Sequence, residues 1–335
     1  MRLLNKLFSL VFLLAATAAG GLWWWASQPL NLQQVPLDFR IIAGSSLRSA
    51  ITQMQEAGVD VQPSLLTALA RFKRVDVGIK AGSYSIHQGI TALQLLEMLT
   101  QGRVTLGQVV LIEGWTFKQW RARLDSHPDL THETRGMTEA EIIERLGLPL
   151  TQLEGWLFSD TYLFDKQSSD LELLARAVRS MQAKLASEWA GRATGLPYKT
   201  PHDALVMASI IEKETGREAD RTLVAAVFVN RLRQGMLLQT DPSVIYGLGN
   251  DFDGNLRKRD LSRDTAYNTY TRNGLTPTPI CLPGLAALQA TLHPATSHAL
   301  YFVARGDGSS HFSSNLIEHN NAVNNYQLKP QKSKK

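Results

Sequence analysis

Two glutamates close a run of helix formers, HDALVMASIIEKETG, which begins at His202 after Thr200-Pro201 and stops at Gly216. At about 100° per residue, Glu214 falls between Ile210 and Ile211 in azimuth and nearly beneath Met207, in the middle of an apolar arc. Glu212 and Lys213 point elsewhere. A carboxyl group held against apolar side chains is poorly hydrated, so its pKa rises and it keeps a proton near neutral pH, as a general acid must. Glu214 is therefore the candidate acid, and Glu212 a solvated or structural neighbour. The same pattern also fits a glutamate in a fraying last turn that reaches only water.

Two further stretches mix aromatic rings with amide, hydroxyl and carboxylate groups: Gln239-Thr240-Asp241-Pro242-Ser243-Val244-Ile245-Tyr246-Gly247 and Asp264-Thr265-Ala266-Tyr267-Asn268-Thr269-Tyr270. A sugar has C–H faces and hydroxyl edges, and this mixture suits it. A pair of hydrogen-bonded loops that brace the fold has the same composition.

Other chemistries lack their residues. The chain has no G-x-S-x-G elbow, Walker loop, G-x-G-x-x-G turn or H-E-x-x-H pair. His311 and His319 have no third ligand at metal spacing, so neither metal nor cofactor is expected. Asn250 to Asn255 lacks the closing acid of a calcium loop and reads as an Asx-rich turn. The single cysteine, Cys281, forms no internal disulfide and reads as a packed, inert thiol.

The elements that must position these groups can be read from period and caps. A strand is predicted over Phe39 to Ile42, and a helix capped by Ser45 or Ser46 with Leu47, Ile51 and Met54 on one face. A second helix opens at Pro63-Ser64, a strand alternates through Gly82 to Ile86, and a helix runs from Thr91 to Leu99. Val109 to Ile112 reads as a buried strand, Leu153 to Tyr162 packs three aromatics around turn formers, and Leu171 to Trp189 is a long helix. No repeat of fixed period is present.

From Leu7 to Trp25 the chain carries 19 residues without a charge, enough to cross a bilayer. Arg2 and Lys6 precede this run and the next charge is Asp38, which puts the N-terminus in the cytoplasm and the body across the membrane. Trp23, Trp24 and Trp25 stand where an interfacial belt belongs. Ala16-Thr17-Ala18 resembles a signal-peptide cleavage site, but the apolar run continues past it, which favours a retained anchor. The pI of about 9.3 arises at the ends: without Arg2, Lys6, Lys329, Lys332, Lys334 and Lys335, 29 basic residues face 30 acidic ones. A near-neutral body argues against nucleic acid as a partner.

Several longer motifs, in order, carry a resemblance: ASIIEKET (Ala208 to Thr215), VFVNRL (Val227 to Leu232), LQTDPSVIYGLG (Leu238 to Gly249) and AYNTY (Ala266 to Tyr270). Lys80 to Tyr84, Glu113-Gly114-Trp115, Glu154-Gly155-Trp156, Tyr301-Phe302-Val303 and Glu318-His319-Asn320 extend it over nearly the whole length. The chain is identified by these as similar to the YceG-like family. It departs from the family pattern at Ser159, where proline is usual, and at Thr276, Thr278, Cys281 and Leu282 in the loop before the last core helix.

The resemblance implies an α+β architecture: a cytoplasmic stub (1–6), one transmembrane helix (7–27), a linker (28–37), a LysM-like βααβ module (38–105), a connecting β/α segment (106–160), a mixed α+β catalytic domain (161–328) and a basic tail (329–335). It implies a lyase at the bacterial inner membrane with its catalytic domain in the periplasm. That lyase cuts within peptidoglycan glycan strands, between N-acetylmuramic acid and N-acetylglucosamine, and leaves 1,6-anhydro ends. Glu214 matches the family's essential acid and would act twice, protonating the leaving oxygen and then accepting the proton of the C6 hydroxyl as the ring closes. Thr240, Tyr246, Tyr267 and Asn268 would bind substrate and stabilise the oxocarbenium-like state. Asp241 would hydrogen-bond to sugar or backbone. Arg231 would meet carboxylates of the strand or act as a bracket. Penicillin-binding proteins are the expected protein partners. A lysozyme-like hydrolase with Asp241 or Glu212 as second carboxylate, and a non-catalytic wall-binding scaffold, are the competing functions.

Overall fold

The computed structural model describes residues 2–328, so the lysine-rich tail expected over 329–335 lies outside the described residues. The chain forms two compact units, each with its own core. The first takes the N-terminal part through Gln108 together with Pro128–Thr131 and Leu163–Ser169, and the second takes Val109–His127, His132–Tyr162 and the chain from Asp170 onward.

The first unit opens on α1 (Arg2–Ala26), of which Leu4–Ala26 is long and apolar enough to cross a membrane. Its last turn differs from the rest of it, because Ala26 is fully buried and Leu22 and Trp25 pack with the core of the unit. Then follow β1 (Asn31–Leu32), β2 (Leu37–Ile41), α2 (Leu47–Glu56), β3 (Val59–Asp60), α3 (Pro63–Phe72), β4 (Gly82–Ile86) and α4 (Ala92–Gln101). Local sequence explains each helix start. Ser46 accepts the Ser49 N–H at the head of α2, Pro63 occupies the first turn of α3, and Thr91 forms a capping box with Gln94 at α4. Each helix buries one stripe, such as Leu95, Leu96 and Leu99 of α4. β2 lies antiparallel to β4 with Phe39 opposite Tyr84, and the two rings stack at 5.6 Å.

Two distant segments complete this unit. β6 (Leu130–Thr131) runs parallel to β8 (Ser168–Ser169), Lys166 reaches Asp38 at 2.9 Å, and the Ser83 hydroxyl donates to the Lys166 carbonyl. β5 (Leu106–Val110) and β7 (Thr161–Asp165) carry the chain between the units. The strand predicted at Val109 to Ile112 is thus displaced toward the N-terminus. It alternates in burial, and Leu106, Val110 and Ile112 are all exposed, because an apolar run by itself does not reveal which of its residues meet a partner.

The second unit contains α5 (Phe117–Asp125), α6 (Glu139–Arg145), α7 (Asp170–Ala190), α8 (Pro201–Glu214), α9 (Arg221–Arg233), α10 (Asp241–Leu248), α11 (Lys258–Ser262) and α12 (Leu285–Leu292). It ends in an antiparallel hairpin of β9 (Tyr301–Ala304) and β10 (Ser310–Ser313), then α13 (Leu316–Val323). Every sheet among the described residues has two strands, so the architecture is mixed α+β and dominated by helices. α8 is the central element. Thr200 and Asp203 form its capping box, and from Ala204 to Ile211 every residue is buried. A helix buried on all sides belongs to the middle of a core, and α7, α9 and α12 surround it with Met181, Leu185, Phe228 and Leu288.

Candidate functional site

α8 leaves the core at its last residue, Glu214, which is half-buried. One oxygen of its carboxyl, Oε1, accepts a hydrogen bond of 2.5 Å from the hydroxyl of Thr240, a residue only 1% exposed. Burial pushes the Glu214 carboxyl above the ordinary range. The Thr240 hydroxyl opposes that rise, the nearby Asp241 charge adds to it, and Arg231 opposes it.

Thr240 is held from several sides. Its N–H donates to Thr269 Oγ1 at 3.0 Å, and its carbonyl accepts from Ser243 Oγ at 2.8 Å. The preceding residue, Gln239, has φ of 52°, left-handed for a residue with a side chain. Such strain persists where neighbours over-determine the backbone. Here the Gln239 N–H is bound by the Thr269 carbonyl, and Arg231 grips the carbonyls of Leu237 and Leu238 at 3.2 and 2.8 Å. Arg231 also donates to the Leu300 carbonyl at 2.7 Å and lies over the Tyr301 ring, which makes it a bracket between α9, this strap and the hairpin.

Glu214, Arg231, Gln239, Asp241, Tyr270 and Tyr301 line a cavity of about 540 Å³. In it the Asp241 carboxylate accepts a 2.5 Å hydrogen bond from the Tyr270 hydroxyl. The residue before Glu214, Lys213, and the residue after Asp241, Pro242, line a second cavity of about 850 Å³ with Ile245, Tyr246, Glu154 and Asn250. Glu154 is 6% exposed, accepts from the Phe117 N–H at 3.1 Å and from the Tyr246 hydroxyl at 3.2 Å, and is pushed up to about 7 by burial.

Of the residues expected at substrate, Glu214, Arg231 and Asp241 line the first cavity, with Thr240 behind them, while Tyr246 lines the second. Tyr267 donates or accepts at the Thr278 hydroxyl, 2.8 Å away, and meets Tyr246 edge-on. Asn268 is fully buried, and its amide binds the carbonyls of Asp260, Leu261 and Arg263. Neither Tyr267 nor Asn268 lines either cavity. Glu212 accepts the Gly284 N–H at 3.0 Å and so ties α8 to the start of α12. Tyr270 and Glu154 line the two cavities without being among the residues expected at substrate. Tyr270 stood within a motif, but its partner is 29 positions away, and no local signal marks Glu154 as buried.

The departures from the family pattern have definite places. Cys281 is buried against the Ser209 carbonyl, Leu282 exchanges backbone hydrogen bonds with Gly114 and Trp115, and Ser159 donates to the Ile112 carbonyl. Asn255 closes an Asx turn on Asp253, as its composition implies. The histidines weighed as metal ligands have other contacts: His311 meets Arg305, and His319 stacks on Tyr301. Asp125, His132 and Asp170 do bring ligand atoms within 4.8 Å of one another, although the Asp170 carboxylate already accepts from the hydroxyl and N–H of Thr134.

Known proteins resemble this chain over most of its length. The chain is 30% identical over 307 residues to an endolytic murein transglycosylase of Bacillus subtilis (strain 168), covering 87% of this chain and 84% of that protein. It is 26% identical over 314 residues to an endolytic murein transglycosylase of Streptococcus pneumoniae (serotype 2, strain D39 / NCTC 7466), covering 84% of this chain and 56% of that longer protein. The crystal structure of a YceG-like protein from Listeria monocytogenes superposes with a TM-score of 0.55 at 30% identity, covering 85% of this chain and 97% of that one. The model of the YceG-like family matches residues 39–325, and the chain belongs to that family.

Proposed function

We propose that the protein is a membrane-anchored endolytic lytic transglycosylase that cuts within peptidoglycan glycan strands and leaves 1,6-anhydromuramoyl ends. The observation that carries this reading is the Glu214 carboxyl: buried enough to hold a proton, hydrogen-bonded by Thr240, and placed on a polar cavity. In the proposed reaction, protonated Glu214 gives its proton to the glycosidic oxygen as the bond to the muramoyl C1 breaks. The C6 hydroxyl of the same sugar then attacks C1 and passes its proton to the Glu214 carboxylate, which restores the acid without water. A hydrolase needs a second carboxylate free to activate water or attack carbon. Asp241, the other acid of the cavity, has Oδ1 taken by the Tyr270 hydroxyl, and anhydro against reducing ends in the products separates the two routes.

The names of the relatives support the same substrate. The helix Leu4–Ala26 supports a single-pass anchor at the bacterial inner membrane, with the N-terminus cytoplasmic and the chain after α1 periplasmic. The order β2, α2, β3, α3, β4, with β2 and β4 antiparallel and β3 only two residues long, supports a LysM-like wall-binding module. A tether of this kind raises the local concentration of the cutter near nascent strands, where it would end elongation beside penicillin-binding proteins.

The test is mass spectrometry of the products from purified glycan strands, for the full chain in detergent beside Glu214→Gln and Glu212→Gln. Anhydromuramoyl ends that vanish in Glu214→Gln and persist in Glu212→Gln are the expected result. Reducing ends would replace this reading with a hydrolase, and uncut but bound strands with a scaffold.

A further inference from the structure

The end of α3 carries a surface that the proposed reaction does not use. Phe72, the last residue of that helix, is 66% exposed, and Val77 is 94% exposed. Apolar side chains ordinarily pack inward, and Val75 between them is half-buried against the core of the unit. The backbone holds them outward. Arg74 adopts a left-handed φ of 58°, the Val75 N–H returns to the Ala70 carbonyl at 2.9 Å, and the Gly78 N–H returns to the Val75 carbonyl at 3.1 Å. The turn is therefore tied back to α3 at its start and closed on itself at Gly78, while Phe72 and Val77 stay exposed.

Cations flank Phe72 in the sequence. The stretch from Arg71 to Gly78 contains Arg71, Lys73 and Arg74 against one acid, Asp76, and none of the three cations is in an ion pair among the described residues. The location of the stretch is set by the anchor. Lys73 Nζ lies 6.0 Å from the centroid of the Trp23 ring, at the point where the apolar helix α1 enters the core of the first unit through Leu22, Trp25 and Ala26. Trp23 and Trp24 are themselves 53% and 68% exposed. Tryptophans at the end of a membrane helix sit at headgroup depth, so a lysine over Trp23 is at headgroup depth too.

We propose that Phe72 and Val77, with Arg71, Lys73 and Arg74, form a membrane-surface dock that lays the first unit on the bilayer holding α1, the cations on anionic lipid headgroups. The proposal rests on the membrane-anchor reading above. Exposed apolar side chains with cations beside them in the same turn match a bilayer interface, where shallow burial of side chains and attraction to anionic headgroups add. The surface is continuous with α1, so the membrane already present supplies the partner. Docking would fix the height and tilt of the first unit instead of leaving it to swing on its anchor.

The test uses the full chain in lipid nanodiscs of phosphatidylcholine, with or without phosphatidylglycerol. In a Cys281→Ala background, an environment-sensitive dye is placed in turn at Phe72→Cys, Val77→Cys and, within the anchor, Phe12→Cys, and quenched by headgroup- or chain-labelled nitroxide lipids. The expected result is blue-shifted, lipid-quenched emission at 72 and 77 that is stronger with phosphatidylglycerol. Each cation reversed to glutamate in turn should weaken docking at least about fivefold, the effect of one interfacial cation. Water-like, unquenched emission at 72 and 77 beside a quenched dye at 12 would overturn the dock and leave the anchor standing. An unquenched dye at 12 would overturn the anchor and the dock together.

Discussion

The hydroxyl of Thr240 donates to Oε1 of Glu214 at 2.5 Å across 26 positions of sequence. One carboxyl oxygen is thereby held at the head of α10, and the other remains for whatever enters the cavity that Glu214 lines. The same bond favours the ionised form, which the second half of the proposed reaction needs, while burial favours the protonated form, which the first half needs.

Thr240→Val keeps the branched shape and removes the donor. The carboxylate loses a hydrogen bond of about 1.5–3 kcal/mol, so the carboxyl becomes a weaker acid. We expect kcat to fall about tenfold or more and the alkaline limb of the pH–rate profile to move up, as measured by release of anhydro products.

Asp241→Asn should move that limb the other way. The Asp241 charge raises the Glu214 pKa, so its removal lets Glu214 ionise at lower pH. A general acid works only while protonated, so activity then declines at a lower pH than in the parent. A pair of shifts with the same sign would refute the assignment of both neighbours.

Glu154 predicts a pH-dependent stability. Its pKa is raised from 4.5 in the unfolded chain to about 7 in the fold. The folded state therefore binds more protons between these values, and stability falls as pH rises through this window. The loss is on the order of 3 kcal/mol. Thermal melts at pH 5 and pH 8 should separate clearly for the parent, and Glu154→Gln should shrink that separation.

Asn268→Ala tests a brace against a substrate contact. Three carbonyls lose their donor in a fully buried place, which costs about 2–3 kcal/mol. We expect a lower urea midpoint with KM for glycan strands unchanged in the folded protein. A raised KM at unchanged stability would restore the binding role.

Gly155→Ala should be costly for two reasons at once. Its φ is 82°, and a methyl group there would collide with the Pro279 ring. Left-handed strain and the displaced loop together cost about 2–4 kcal/mol, read from the same urea midpoint. The turn that carries Glu154 therefore depends on a glycine.

Much of the local structure was legible. Ser46, Thr91 and Thr200 announce their helices because a cap acts within three residues of itself. Glu214 was legible as a poorly hydrated carboxyl, although α8 is buried on every side from Ala204 to Ile211, a wider contact than one apolar arc implies. Val109 to Ile112 misled, since apolar content does not tell a half-exposed strand from a buried one. Tyr267 and Asn268 have the chemistry of a sugar site, yet their polar groups are taken up by Thr278 and by backbone carbonyls.

By itself, then, the sequence determined what is encoded within a turn or two of chain: the helix periods and caps, the 19 uncharged residues from Leu7 to Trp25, and the placement of one glutamate beside isoleucines. Tertiary structure decided the partners. It alone sets Thr240 on Glu214, Tyr270 on Asp241 across 29 positions and Tyr246 on Glu154 across 92. It alone draws Leu163–Ser169 into the first unit. Those pairings follow from how separate apolar faces pack against one another, and no window along the chain contains both sides of such a contact.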